Sequence, residues 1–206
     1  MNQYLESSKY IDWESPAIKK LAAKLAENDR AKLDIAKNCF EWVRDNIKHS
    51  SDHKLNPVTC KASDVLSERT GFCYAKSHLL AALLRANSIP AGLCYQRLSV
   101  FDNGAPYCLH GLNAVYLKEF GWYRIDSRGN KEGINAQFKP PHEKLAFSIK
   151  DKKESDLLEI WSDPLPNIVS VLEKYNTYVE VLENLPDIEL LTCGIAHNKI
   201  KPRTAS

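Results

Sequence analysis

Apolar residues recur along this chain in two rhythms. Up to about residue 86 they follow a step of three and four, the spacing of one helix face; from about 93 to 126 they change to strand-like runs. Ser15-Pro16 is a helix start, a cap residue followed by proline at the first helical position, and Ile18, Leu21, Ala22 and Leu25 continue the stripe. A second helix is predicted to begin after Asn28 or Asp29, with Ala36, Cys39, Phe40, Val43 and Ile47 on its apolar face. "HSSDHKLNP" reads as a polar loop, and Ser63 is placed to cap a short helix through Leu66. The stretch from Phe72 to Ala86 carries Ala75, Leu79, Leu80, Ala82, Leu83 and Leu84. It is apolar on most sides, so it belongs inside a layered domain, and Ile89-Pro90 and Gly92 end it.

"LCYQRLSVF", "HGLNAVYL" and "GWYRID" are predicted strands. Asn103-Gly104 marks a turn between the first two, and the short loop "KEFG" makes a hairpin of the second and third. Helices followed by antiparallel strands predict an α+β fold, with helices packed on one sheet. Beyond Asn130 the pattern weakens. "FKPPHEK" and "SDPLPN" are connectors, "IVSVLEKYNTYVEVLENL" is helical in one or two pieces, and the tail "HNKIKPRTAS" is expected to fray. No boundary is visible, so residues 1–206 are read as one domain, with a core over about 36–130 and an appendage over 131–206.

A chain of 206 residues can bury a core without staples. Its net charge of +2, with basic residues interleaved among acids, argues against a nucleic-acid partner. The N-terminus shows no basic segment followed by an apolar run, so no signal peptide is expected. The longest apolar run, "LLAALL", is far short of the about 20 residues a bilayer requires, so no membrane partner is expected. A cytoplasmic location follows as the expectation, with the six cysteines as free thiols; their spacings lack the close pairs of a zinc site.

Chemistry enters at "ERTGFCYAKSHLL". The ordinary role of a lone cysteine is a small buried hydrophobe. Cys73, however, falls in the predicted first turn of the core helix, where unpaired N–H groups favour negative charge. Cys39 lies mid-helix, Cys94 and Cys108 lie in or near strands, and Cys60 and Cys193 have no clear context. A thiol nucleophile needs an imidazole, and the imidazole needs a group to orient it. His49 and His53 fall in the polar loop, His78 lies on a different face of the Cys73 helix, and His142 and His197 sit in weakly patterned regions. His110 opens a strand in the sheet expected to face that helix, and Asp126 ends the next strand. With Lys118 to Phe120 as the loop and Leu117 opposite Gly121, Asp126 faces Leu112 and becomes the diagonal neighbour of His110 on one face. A slip of one residue would separate them. Taken alone, Asp126 also suits the turn "DSRGN" that follows.

"TGFCYAKSHLLAALLRANSIPAG", then "HGLNAVYL", then "GWYRIDSRGN" resembles the core of the transglutaminase-like superfamily, over about residues 36 to 130. That group pairs a Gly-x-Cys helix start with a His strand and a strand ending in Asp; the upstream "FEWVRDNIKHS" is similar to its preceding helix. The resemblance implies a papain-like α+β core, a central helix on an antiparallel sheet, with extra helices at both ends. It implies Cys73 as nucleophile, His110 as base and acid, and Asp126 as orienting carboxylate. Leu112 stands where the family often has an aromatic residue, and no acidic calcium loop is present in the sequence.

The implied reaction is acyl transfer on a peptide or protein amide through a thioester, as a cysteine protease or amidase. The alternatives are a protein-glutamine amine acyltransferase and a non-catalytic scaffold on the same fold. A zinc enzyme is disfavoured, because Cys73 and His110 lack a third and fourth ligand. No cofactor and no metal site are expected, and the sequence gives neither the second oxyanion donor nor the oligomeric state.

Overall fold

Proline opens the first helix as expected: α1 spans Pro16–Leu25, with Ile18 and Ala22 buried, although the Ser15 side chain makes no capping bond. The second helix, α2, spans Lys32–Asn46 and buries Ile35, Ala36, Cys39, Phe40 and Val43. The computed structural model describes residues 1–28 and 31–189. Cys193, His197 and the tail expected to fray lie outside the described residues.

The segment read as a polar loop is folded. Lys48–His49 (β1) pairs in parallel with Thr70–Gly71 (β2), and Ser50–His53 makes one helical turn, α3. Thr70 ties this knot: its hydroxyl donates to the Lys48 carbonyl at 3.1 Å, and its carbonyl accepts from the Thr59 hydroxyl at 2.9 Å. Ser63 does not cap α4 (Ala62–Glu68). It lies inside the first turn, where its N–H and hydroxyl both donate to the Asp12 carboxylate. A carboxylate brought from the N-terminal segment thus serves the helix start, which the local sequence cannot show.

The next helix, α5 (Cys73–Ala86), is buried along its whole length from Cys73 to Arg85. α1, α2 and α4 cover one side and the sheet covers the other, which is why its apolar residues form no single stripe. Its polar side chains are bonded rather than solvated. Lys76 donates to the Ile47 carbonyl, His78 pairs with the Cys60 carbonyl at 2.7 Å, and Arg85 donates to the carbonyls of Glu6, Ala91 and Ser162.

β3 (Ala91–Ser99), β4 (Tyr107–Leu117), β5 (Gly121–Ile125) and β6 (Ser155–Asp156) form an antiparallel sheet in the order β5-β4-β3-β6. The hairpin register is the one the spacing predicts, with Leu117 opposite Gly121 and Asn113 opposite Ile125. β4 begins earlier than expected. Tyr107 pairs with Ser99, so His110 lies within the strand rather than at its start. One face of the sheet meets α5 through Tyr95, Leu109 and Val115; the other holds a smaller cluster of Cys94, Leu112 and Ala114.

The segment after Asn130 is packed on this frame. Ala136 and Phe138 enter the main core, and the helical stretch is two pieces, α6 (Pro166–Lys174) and α7 (Tyr178–Glu183). Thr177 and Glu180 close a reciprocal capping box at the break. Among the described residues no helix is long and apolar enough to cross a membrane.

Candidate active site

Cys73 stands at the first position of α5, after Phe72 in extended geometry. The first intrahelical donor is Lys76, whose N–H reaches the Phe72 carbonyl at 2.9 Å. The N–H groups of Cys73, Tyr74 and Ala75 therefore precede the helical ladder and face the helix start. The Cys73 sulfur accepts from the Gly111 N–H at 3.5 Å. This approach depends on glycine: a Cβ at position 111 would sit 3.0 Å from the Tyr74 Cα and 3.2 Å from its nitrogen. The Tyr74 hydroxyl also donates to the Leu109 carbonyl, so the helix start is fastened to β4 on both sides of His110.

The His110 ring donates through Nε2 to Asp126 Oδ2 at 2.8 Å, and it shares the wall of one cleft with Cys73. Asp126 is fixed in turn. Oδ2 also accepts from the Ala146 N–H at 3.0 Å, and Oδ1 accepts from the Arg128 N–H at 3.1 Å. All three side chains are buried. Burial alone would lower the affinity of His110 for a proton. The Asp126 carboxylate and the Cys73 sulfur outweigh that, and the ring is pushed up to about 10. Burial would likewise raise the Asp126 carboxyl, but His110 and the two N–H donors hold it below its usual range. The structure thus brings the three residues selected from sequence together, Cys73 and His110 in the walls of one cleft and Asp126 bonded to His110.

Around them lies a cleft of about 250 Å³. The residues that the sequence reading missed are in its walls. His49, read as solvated, is buried in the cleft: β1 carries it against Phe72, with ring centroids 5.6 Å apart. Burial, and then Arg128, hold its imidazole well below the usual histidine range, and Ser51 Oγ lies 3.1 Å from Nδ1. No periodicity could reveal a strand of two residues. Leu112 packs in the smaller cluster behind the sheet, and the ring beside His110 is Phe147, edge-on at 4.9 Å. Cys108 shares the cleft, its thiol pushed up to about 12 by burial. His53 and His142 are exposed. His78 sits in the core, its ring held near the Cys60 carbonyl and pushed down to about 4 by burial.

Beneath the site lies the fully buried Lys76, pushed down to about 7 by burial and then by Arg128. The Arg128 guanidinium clamps Asp52 at 2.6 and 3.0 Å, and Lys131 reaches the same carboxylate at 2.7 Å. Among the described residues no group of three or more His, Cys, Asp or Glu side chains could hold a metal ion.

The family model of the transglutaminase-like superfamily matches residues 19–127, more than half of the 206 residues, and spans Cys73, His110 and Asp126. The chain belongs to the transglutaminase-like superfamily. Among solved structures, a candidate cysteine protease from Cytophaga hutchinsonii is 25% identical over 61% of this chain and 40% of its own, with a TM-score of 0.48. The periplasmic domain of TgpA from Pseudomonas aeruginosa is 21% identical over 60% of this chain and 45% of its own, with a TM-score of 0.45. A red sea bream transglutaminase is 10% identical over 57% of this chain and 27% of its own, with a TM-score of 0.43. This member of the superfamily therefore spans less than half the length of each of these structures. No curated protein matches the chain.

Proposed function

We propose that this transglutaminase-like chain is a cysteine protease or amidase, acting on a peptide or protein amide through a thioester on Cys73. The observation that carries the reading is the buried His110–Asp126 pair, bonded at 2.8 Å, with Cys73 at a helix start in the same cleft as His110. In this reading His110 takes the Cys73 proton, and the sulfur attacks the amide carbonyl. The oxyanion forms beside the N–H groups at the start of α5, a contribution of a few kcal/mol in such sites. His110 then gives its proton to the departing nitrogen as the C–N bond breaks, leaving the acyl group on sulfur. Water attacks the thioester, His110 receives its proton, and the thiol is restored. Asp126 keeps Nε2 protonated throughout and leaves Nδ1 for the sulfur.

The fixed carboxylate supports the relay. Three donors converge on Asp126, so it serves as an orienter and does not itself carry a proton at neutral pH. The proposal takes residues 1–206 as one domain and needs a reducing compartment, the cytosol, in which the free thiols persist. The test is intact-mass analysis after rapid quenching with a panel of peptide amides and glutamine amides. An acyl adduct on Cys73 that is absent in Cys73→Ala, and that decays to the free acid at a rate independent of added primary amine, is the expected result. Decay that yields only the amide of an added amine would make the chain an acyltransferase. A panel with no adduct at all would leave a scaffold.

A further inference from the structure

Part of the cleft wall is built by residues outside the family match. α7 and the chain that follows it are pinned at several points. Val181 is fully buried, the Tyr178 N–H donates to Asn56 Oδ1 at 2.8 Å, and the Leu109 N–H donates to the Pro186 carbonyl at 2.7 Å. The Asp187 carboxylate takes two bonds of 2.7 Å from the Arg97 guanidinium, which also bonds the Ile188 carbonyl at 2.9 Å. An arm held this firmly would be expected to bury its leucines. Leu182 is nevertheless 41% exposed, and both it and Leu185 line the cleft with Cys73.

We propose that Leu182 and Leu185, with Leu109 on β4, form an apolar subsite that receives a side chain on the acyl side of the amide attacked by Cys73. This rests on the reading of Cys73 as nucleophile. The direction follows from the relay. The departing nitrogen must stay beside His110, which protonates it, so the acyl chain leaves the sulfur on the other side. Leu109 and His110 are adjacent on β4 and project to opposite faces, and the arm docks at Leu109. The occupant is an aliphatic or aromatic side chain, because leucines meet it there. The charged lining residues Asp102, Arg128, Lys150 and Glu154 come from other segments of the chain; Arg128 is already bonded to Asp52, and Glu154 to the N–H groups of Ser99, Lys150 and Asp151. The lever is desolvation: covering an apolar side chain is favourable, whereas a charged one would lose its water without gaining a partner.

The test separates the subsite from the nucleophile. Binding of N-acetyl-Gly-X-amide peptides, with X as Leu, Phe, Asp or Lys, is measured by calorimetry on the full chain carrying Cys73→Ala, which cannot react. Leu and Phe peptides are expected to bind about tenfold or more tightly than Asp and Lys peptides, a difference of about 1.4 kcal/mol. Leu182→Asp, at a half-exposed position, should erase the preference, and Leu182→Phe should keep it. Equal binding of the four peptides, or a preference unchanged by Leu182→Asp, would overturn the subsite. Thiol reactivity of the unmodified chain is scored separately. An inert Cys73 with intact peptide selectivity would refute the enzyme and leave an apolar peptide-binding cleft, whereas a reactive Cys73 without selectivity would refute the subsite alone.

Discussion

Helix α5 with strands β3 to β5, and the segment from 131 to 189, face each other across one cleft but encode their structure differently. The first region is periodic and nearly all buried. Its geometry follows from which residues must leave water, and the Cys73, His110 and Asp126 side chains are held at helix starts and strand registers. The second region has little regular structure between Asn130 and Pro166, apart from the two residues of β6. Besides a few core residues such as Phe138 and Val181, it is held by scattered long-range contacts: Ala146 N–H on Asp126, Phe147 on His110, Asp187 on Arg97. In the proposed reading the frame sets the chemistry, and the wrapping sets what reaches it.

The largest effect expected on the frame is from Asp126→Asn. Removing the charge frees Nε2 and releases the tautomer, so acylation of Cys73 should fall by about 10²- to 10⁴-fold, read from stopped-flow acyl-enzyme formation. A change under threefold would mean the carboxylate is only a turn residue. Next, Leu83→Ala in the fully buried helix should destabilise by about 2–5 kcal/mol in urea melts, because the enclosed site cannot collapse around the void. On the wrapping, Asp187→Ala removes a partly exposed ion pair and should cost about 1 kcal/mol or less in the same melts. If the two costs were equal, the contrast between frame and arm would fail.

Two buried bases sharpen the picture through pH. Lys76 is pushed down to about 7, below its unfolded value of about 10.4. The unfolded chain therefore binds more protons between these values. The penalty for burying Lys76 is full below about 7 and is relieved as pH rises towards 10.4. His110 has the opposite sign. Its value of about 10 lies above the unfolded value of about 6.5, so its contribution is full below 6.5 and is lost as pH rises through about 10. Lys76→Met should thus raise the unfolding midpoint more at pH 6 than at pH 9, and should leave a stability that declines from pH 6.5 to 10. A gain independent of pH would show that Lys76 is not charged in competition with its surroundings.

What could be read in the sequence follows the same division. The hairpin register was legible because one residue of slip would turn every side chain of β5 to the wrong face, and the loop length leaves one even pairing. Cys73 was legible because a helix start has a signature. His49 was not, since its burial comes from a two-residue strand pairing with Thr70 and Gly71. Phe147 and Leu182 were not either. Phe147 is one apolar residue in a segment without period and Leu182 sits on a short helix, and each is brought to the cleft by contacts distant in the chain. The Asp12 cap on α4 was hidden for the same reason, as a long-range bond leaves no local pattern.

The most direct test of the account is the rate at which iodoacetamide alkylates each cysteine at pH 7, followed by peptide mapping. Burial pushes the thiols of Cys39, Cys60 and Cys94 up to about 12, so they should react slowly. Cys73, beside an imidazole that holds its proton, should react at least about tenfold faster than any of them, and His110→Ala should remove that advantage. Alkylation of Cys73 no faster than of Cys39 and Cys94 would contradict it.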